Sequence, residues 1–284
     1  MNKVDVKKDY VYYKKKEEKV IYHMADIHFN MNTKSSLFDK ILKNIEKDKP
    51  DYIIITGDLL DTPEIIKNKS KIHELVDYLS RFASISKVII ALGNHDIYLD
   101  NGIKFFKKIN EIKNIYVLIN EDYIDDYIYV YGMMLPSEYY YNVLGYEDEN
   151  ILIDSIKKMK LNKPKNVFSI GLFHSPVCLT SENVINYLKD FNLILSGHMH
   201  SGMVPNIISK YSSGNRGIIG PFRKWFPKVC RGKVLLKDTL LIINGGVTKL
   251  SYKSARHLSK LNFLYNISIN KIILTNDKIK CLKK

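Results

Sequence analysis

Short apolar runs, rich in β-branched residues, recur along the chain and end abruptly in glycine or polar residues. A run of four to eight such residues bounded by turn-forming residues is typical of a buried strand. The pattern predicts strands over residues 20–25, 52–56, 87–92, 115–119, 127–131, 166–173, 193–196, 238–247 and 265–274.

Apolar residues at helical spacing fill most of the intervals between these strands. They predict helices over residues 37–49, 70–82, 102–109, 148–160 and 183–189. Alternating strands and helices indicate an α/β protein with parallel strands. Residues 120–126 are expected to form an acidic turn, and the aromatic segment 136–146 a loop near the mouth of a site.

The regular pattern is absent at two places. Residues 1–19 form a lysine-rich arm whose 11–13 stretch could pair at a sheet edge, and residues 201–232 form a long segment rich in Gly, Pro and basic residues. Loops of this length are uncommon unless they are functional. With no repeat and no linker-like stretch, we expect a single domain over residues 1–284.

Potential metal ligands follow five of the predicted strands. They are Asp26 and His28, Asp58, Asn94 and His95, His174, and finally His198 and His200. Five of the eight histidines therefore lie at strand ends, where open α/β sheets place their ligands. The other three histidines (His23, His73 and His257) have no such context, and we expect them to be structural or on the surface.

This mixture of donors suits phosphate ester hydrolysis. Two divalent ions can neutralise the phosphoryl oxygens and acidify a water between them. Imidazole, carboxylate and amide donors favour Mn, Fe, Zn or Ni over Ca. Asp58 is the natural bridging carboxylate. We assign Asp26, His28 and His200 to one ion and Asn94, His174 and His198 to the other.

Two residues next to these ligands are candidates for catalysis. His95 directly follows a ligand and can face the substrate, where it would stabilise or protonate the leaving oxygen. Asp96 can orient His95, or it can serve only as an anchor or cap, and the sequence leaves both roles open.

The amino-acid composition narrows the possible partners and the cellular compartment. A net charge of +14 and a pI of about 9.4 favour anionic partners such as phosphorylated metabolites, nucleic acid or an acidic membrane surface. Three widely spaced cysteines disfavour a disulfide framework and favour a reducing compartment, so we expect a cytoplasmic location. No apolar run approaches the length of a membrane span, and residues 1–19 lack a signal-peptide core.

The ordered motifs DxH, GD, GNHD, H and GHxH, spanning residues 26–200, resemble those of the calcineurin-like metallophosphoesterase superfamily. The resemblance implies a four-layer α/β-β/α sandwich of two mixed sheets, with a dinuclear metal site at the C-terminal ends of the strands. It also implies the ligand assignment above, with His95 catalytic. Because every motif position is filled, ligand-poor scaffold versions of the fold are disfavoured.

Within the superfamily, the chain looks most like the small bacterial phosphodiesterase-type branch related to lipid-linked enzymes. Such relatives often carry an N-terminal membrane anchor, and this chain shows none. We expect a phosphoesterase with two ions, Mn favoured, acting on a phosphorylated small molecule or lipid-linked substrate, with a diester favoured.

Two alternatives stay open. A nuclease suits the positive charge, but no basic stripe with interleaved aromatic residues marks a strand-tracking groove. A membrane-surface binding module is suggested by Phe222, Trp225 and Phe226 beside Arg223 and Lys224, with burial of the rings in the core as the plainer interpretation.

Overall fold

A computed structural model of the chain describes residues 3–62, 64–98, 102–141, 147–209, 214–221, 224–248 and 259–282. Among these residues, the strands are β1 (Val4–Tyr12), β2 (Lys19–Met24), β3 (Tyr52–Thr56), β4 (Lys87–Ala91), β5 (Ile115–Leu118), β6 (Glu121–Ile124), β7 (Ile128–Met133), β8 (Phe168–Phe173), β9 (Leu193–Ser196), β10 (Gly232–Leu236), β11 (Thr239–Ile243) and β12 (Ile267–Thr275).

The helices lie between these strands. They are α1 (Ser35–Asp48), α2 (Glu64–Lys67), α3 (Lys69–Ile85), α4 (Asn94–Ile97), α5 (Gly102–Ile109), α6 (Ser137–Tyr140), α7 (Glu149–Lys157), α8 (Glu182–Ile185), α9 (Asn206–Ser209) and α10 (Lys278–Leu282), with 3₁₀ turns at His200–Met203 and Ser259–Leu264. None of the described helices is long and apolar enough to cross a membrane.

The strands form two six-stranded mixed sheets. The first has the order β1-β12-β2-β3-β4-β5, and its strands β2 to β5 are parallel. The second has the order β10-β11-β9-β8-β7-β6, with β11, β9, β8 and β7 parallel. The carboxyl ends of the parallel strands of each sheet therefore meet at one edge of that sheet.

Three apolar clusters show how the layers are stacked. Along β3, the side chains of Ile53 and Ile55 join the cluster under α1 and α3, whereas Ile54 joins the cluster that fills the space between the sheets. This alternation is the period-two pattern of a strand buried on both faces. A third cluster packs the second sheet against α6, α7 and α8. The architecture is the expected α/β-β/α sandwich.

Most predicted elements are confirmed, with shifts of a few residues at their ends, and β1 is an edge strand as the 11–13 stretch suggested. The acidic turn predicted at 120–126 is wrong, because Glu121–Ile124 pairs with β7 as the edge strand β6. Polar residues are tolerated there because an edge strand exposes one side to water. Within the predicted segment 201–232 the structure adds α9. His257, Phe222, Arg223 and residues 142–146 lie outside the described residues.

Candidate metal centre

The predicted ligands lie at the carboxyl ends of parallel strands from both sheets. Asp26 and His28 follow β2, Asp58 follows β3, and Asn94 and His95 open α4 after β4. His174 follows β8, while His198 and His200 follow β9 in the second sheet. Backbone hydrogen bonds from Asp26 to Gly57 and from His28 to Asp58 fasten the neighbouring strand ends of the first sheet together.

The backbone of the ligand-bearing turns is unusual. Five of the seven predicted ligands have positive φ angles, namely Asp26 (52°), His28 (49°), Asp58 (52°), His198 (67°) and His200 (47°). Left-handed conformation is uncommon for residues other than glycine and costs about 1–3 kcal/mol each when strained. Such strain clusters at functional sites, and here it turns successive polar side chains toward one point.

Two glycines allow the strand ends to touch. A Cβ on Gly57, which has φ +82°, would lie 2.6 Å from the Gly93 backbone, and one on Gly93 would lie 2.4 Å from the Asp58 backbone nitrogen. Any larger residue at either position would force β3 and β4 apart where they present Asp58 and Asn94.

The donor atoms form overlapping clusters around Asp58. Asp26, His28 and His200 bring their atoms within 4.8 Å of one another, as do Asp58, His174 and His198, and a third group joins His28 and His95 to Asp58. Nε2 of His174 lies 3.3 Å from Oδ2 of Asp58 and 3.2 Å from Oδ1 of Asn94. His28 Nε2 lies 3.6 Å from that same Asp58 oxygen. Asp58 thus stands between two donor groups.

Hydrogen bonds outside the centre fix the orientation of two imidazoles. His174 donates from Nδ1 to the Thr56 carbonyl oxygen at 2.7 Å, and His200 donates from Nδ1 to the Thr248 carbonyl oxygen at 2.8 Å. In both rings Nε2 is then the nitrogen that faces the carboxylates, where it would bind an ion. A backbone carbonyl that fixes the tautomer in this way is the usual partner of a metal-binding histidine.

The polar atoms of the centre are incompletely satisfied without an ion. Both ring nitrogens of His28 are buried and have no hydrogen-bond partner in the part of the chain that the structure describes, although native proteins pair nearly all such atoms. Carboxylates, imidazoles and one amide oxygen are also the donor set that divalent transition metals prefer. The residues therefore fit the divalent ions that this fold implies. We read Asp26, His28, His200 and Asp58 as one donor group and Asp58, Asn94, His174 and His198 as the other.

The pKa shifts reflect this crowding of charge. Burial alone would raise the pKa of the Asp58 carboxyl, but the facing imidazoles of His174, His95 and His28 hold it well below its usual range. Burial opposes protonation of His174, yet the carboxylates of Asp58 and Asp26 raise its pKa to about 9. Burial lowers the pKa of His200 to about 4, leaving that ring neutral and able to bind a cation.

His95 and Asp96 occupy different environments. His95 donates from Nδ1 to the carbonyl oxygen of Asp61 at 3.0 Å, and its backbone nitrogen donates to Asp58 at 2.8 Å. Asp96 accepts hydrogen bonds from the backbone nitrogens of Gly93 (2.9 Å) and Leu60 (3.0 Å), so its carboxylate caps the turn that carries Asn94 and His95. Of the two roles left open for Asp96, this geometry matches the anchor.

Sequence reasoning missed Asp61. Its Oδ1 lies 3.4 Å from His28 Nδ1 and 3.5 Å from His95 Nδ1, and the residue is fully buried. The sequence feature that could have indicated Asp61 is its position as a second carboxylate three residues after Asp58, in Gly57-Asp-Leu-Leu-Asp61.

Two further residues, on either side of residues 142–146, reach the centre. Glu147 places Oε1 at 3.2 Å from His198 Nε2, and Tyr141, half exposed, bonds to the Asn94 side chain. The described part of the segment 136–146 therefore lies near the site, as expected, but the prediction of a loop is wrong for Ser137–Tyr140, which form α6. The acidic run Glu147–Glu149 indicated only the start of a helix, so nothing in the pattern singled out Glu147.

Several known proteins are similar to this chain in sequence. It is 28% identical over 192 residues to an uncharacterised metallophosphoesterase of Campylobacter jejuni, covering 67% of this chain and 46% of that protein. It is also 28% identical to a component of the nuclease SbcCD of Staphylococcus epidermidis, covering 68% of this chain and 60% of the relative. The chain thus spans about half the length of these relatives.

A dimetal phosphatase of Danio rerio superimposes with a TM-score of 0.47 at 11% identity, over 82% of this chain and 88% of that structure. The sequence profile of the calcineurin-like phosphoesterases matches residues 19–202, the region that carries every predicted ligand. The chain belongs to the calcineurin-like phosphoesterase family.

Proposed function

We propose that the chain is a metal-dependent phosphodiesterase with two divalent ions. The observation that carries the proposal is the position of Asp58 beside two donor groups: it clusters with His174 and His198, and its Oδ2 lies 3.6 Å from His28 Nε2, in the group with Asp26 and His200. When bound, a pair of divalent ions neutralises phosphate oxygens and lowers the pKa of water, which is the chemistry that ester hydrolysis at neutral pH requires.

The chain's own residues would orient the ester and handle the proton. His95 and His200 are the most open of the site imidazoles, with side-chain exposures of 11% and 14%, so the substrate would approach along their edge. Because Nδ1 of His95 donates to the Asp61 carbonyl, Nε2 is the atom left to face the ester. It would pass a proton to the leaving oxygen only after taking one up from water, as the imidazolium.

A diester is the favoured substrate class. The name of the Staphylococcus epidermidis relative describes a nuclease, and nucleases cleave phosphodiesters. The half-exposed ring of Tyr141, bonded to Asn94, adds an apolar surface beside the donor groups on which the second ester substituent could rest. A phosphorylated small molecule or lipid-linked ester fits this proposal. Mn is the favoured ion because nitrogen and oxygen donors are mixed.

The test combines metal analysis with two model substrates. We expect about two ions per chain after loading with Mn, and faster hydrolysis of bis(p-nitrophenyl) phosphate than of p-nitrophenyl phosphate. Asp58→Asn should lose both bound metal and turnover, whereas Asp126→Asn, exposed and remote, should keep both. Metal uptake with a monoester preference would contradict the diester assignment, and no metal uptake would contradict the whole proposal.

A nuclease is the second candidate, supported by the 28% identity to the SbcCD component over 68% of the chain. Incubation of the Mn-loaded protein with single- and double-stranded DNA, followed by a gel, separates it from the first candidate. Degradation that Asp58→Asn abolishes would identify a nuclease.

For location, we propose the cytoplasm. The three cysteines are all free, which is usual in a reducing compartment.

A further inference from the structure

The positive charge of the chain is concentrated after the last predicted ligand. Residues 1–200 carry 27 Lys and Arg against 28 Asp and Glu, whereas residues 201–284 carry 17 against 2. The stretch 201–237 contains no acidic residue at all. A strong charge difference between the two parts of a chain is typical of binding to a polyanion or an anionic membrane.

This basic part also carries several highly exposed apolar side chains. Trp225 is 64% exposed, Phe226 72%, Ile207 77% and Phe263 61%. We call these four residues, together with the half-exposed Ile208, the docking face. Apolar side chains of this size that stand in water gain free energy when they are buried against an apolar phase.

Trp225 and Phe226 are held outward by a small hairpin in which residues 217–220 pair with residues 224–227. Phe226 donates to the Ile218 carbonyl at 2.9 Å, Gly220 donates to Lys224, and Ile219 bridges to Trp225. Phe226 has φ 52°, a costly backbone conformation for an aromatic residue. The exposed rings are thus presented by a defined, strained turn.

The docking face is attached directly to the ligand-bearing turn. Ile218 and Ile219 donate from their backbone nitrogens to the carbonyl oxygen of Gly202, two residues after the ligand His200. On the other side, the Asn206 side chain exchanges hydrogen bonds of 2.8 and 3.1 Å with Asn266, close to Phe263. The hairpin is therefore tied to the chain at Gly202, and the segment that follows Ser259–Leu264 is tied to it at Asn206, the first residue of α9.

We propose that the docking face binds an anionic lipid surface, with its apolar side chains in the interfacial region. Exposed Lys224 and Lys228 flank the two rings, which places cations where acidic headgroups would lie. Exposed isoleucines favour lipid over nucleic acid, since bases stack on aromatic rings and gain little from aliphatic ones. Lipid binding by the docking face does not depend on the metal centre. The further inference that binding presents membrane-borne esters to the metal centre rests on the proposed function.

Trp225 is the only tryptophan in the chain, so its fluorescence reports directly on the docking face. The protein is titrated with phosphatidylcholine vesicles with and without about 30% phosphatidylglycerol, and binding is checked by flotation. We expect a blue shift and quenching by brominated acyl chains with the anionic vesicles, and much weaker binding to the neutral ones. No blue shift with either vesicle would overturn the proposal.

Variants separate lipid binding from catalysis and from misfolding. Trp225→Ala combined with Phe226→Ala should lower vesicle partitioning about tenfold or more in flotation. Lys224→Glu combined with Lys228→Glu should lower it by a similar factor, on anionic vesicles only. The matched control is Leu235→Ala with Ile279→Ala, which removes two equally exposed apolar side chains from β10 and α10.

Asp58→Asn should bind vesicles like the unsubstituted protein, so loss of the proposed hydrolysis and loss of lipid binding are distinguishable. Thermal unfolding confirms that each variant is folded. Equal vesicle binding by the ring variant and the control variant would contradict the proposal. Binding to DNA that the charge reversal abolishes, with no binding to vesicles, would assign the surface to nucleic acid instead.

Discussion

The two ends of the sandwich each hold a carboxylate, Asp58 fully buried and Asp125 with 15% of its side chain exposed, and they use it differently. At the carboxyl ends of the strands, Asp58 faces three imidazoles, and both ring nitrogens of neighbouring His28 have no hydrogen-bond partner among the described residues. At the opposite end, Asp125 precedes β7 and lies against Tyr52 and Lys87, the first residues of β3 and β4.

Asp125 is fully satisfied. It accepts hydrogen bonds of 2.8 Å from Tyr52, Tyr123 and Lys87, and its other oxygen accepts from the backbone nitrogens of Tyr127 and Ile128. A carboxylate that accepts hydrogen bonds on both oxygens, as Asp125 does, stabilises the packing of the two sheets. A carboxylate surrounded by other acceptors and by imidazoles, as Asp58 is, has the environment of a cation site. We therefore expect substitutions at the first end to change activity and substitutions at the second end to change stability.

Removing the Asp58 charge should produce the largest effect. Asp58→Asn keeps the shape and the oxygen that accepts from the His95 backbone nitrogen, but it removes the charge shared by both donor groups. We expect kcat/KM to fall about 10³-fold, equivalent to several kcal/mol of transition-state stabilisation. Steady-state kinetics on the preferred substrate measures this loss.

A second readout does not depend on turnover. Added Mn²⁺ should raise the unfolding temperature of the unsubstituted protein, because a ligand that binds only the folded state stabilises it, and this rise should vanish in Asp58→Asn. An undiminished rise in the variant would place the ions elsewhere.

Asp61→Asn should have a smaller effect at the same end. The Asp61 carboxylate lies beside the Nδ1 atoms of His28 and His95 without being one of the predicted ligands. Groups that orient metal-binding histidines typically contribute about 10–100-fold to metal affinity or activity. We expect a loss in that range, with a shifted pH profile of kcat/KM because the charge beside His95 is gone. An unchanged pH profile would show that Asp61 only supports the fold.

At the opposite end, Asp125→Asn should lower stability and leave activity unchanged. The variant loses a charge that holds Lys87, so we expect a loss of about 2 kcal/mol in the free energy of unfolding at pH 7 and unchanged kcat/KM. Burial acts against the charged form, but Lys87 and the other donors keep the pKa of Asp125 below its usual range.

The sign of the pH effect follows from this lowered pKa. The contribution of Asp125 is fully present above the unfolded-state pKa of about 3.9 and disappears as pH falls through the lower folded-state pKa. Urea unfolding at pH 7 and pH 3 should therefore show the full difference between the variant and the unsubstituted protein at pH 7 and a smaller one at pH 3, which lies below the unfolded-state pKa but still above the lowered folded-state pKa. The control is Asp126→Asn, at the next residue in the chain, where the side chain is exposed. This variant should behave like the unsubstituted protein at both pH values.

The two ends also differ in how well the sequence predicts them. Asp26, Asp58 and the GHxH histidines each come one to four residues after a predicted strand, so the strand pattern alone places them at the ends of strands. Asp125 is surrounded by Tyr and Asp residues in a segment that resembles a polar turn, and the strand β6 there exists because β7 offers it an edge. Its partners Tyr52 and Lys87 are distant in sequence and meet it only when the sheets pack. The same applies to Asp61 and Glu147, whose roles depend on contacts between separate turns.

The smallest expected effect is at His23, which lies within β2 between the two ends of the sandwich. It is fully buried with Nε2 at 2.8 Å from Thr56 Oγ1, and burial lowers its pKa to about 3. An unfolded chain binds a proton on this ring below about pH 6.5 while the folded protein does not, so stability falls as pH falls through that window. Between pH 6.5 and 5.5 the loss should be about 1 kcal/mol.

His23→Gln keeps a polar group for Thr56 but cannot take up the proton, so it should flatten this part of the stability curve. Urea unfolding at half-unit pH steps measures the slope, and His73→Gln, at an exposed position, is the matched control. His174 acts in the opposite direction, because its pKa is raised to about 9 and its contribution is lost only as pH rises through that value. An equal slope in His23→Gln and the control would show that the acid sensitivity arises at the metal centre rather than in the sheet.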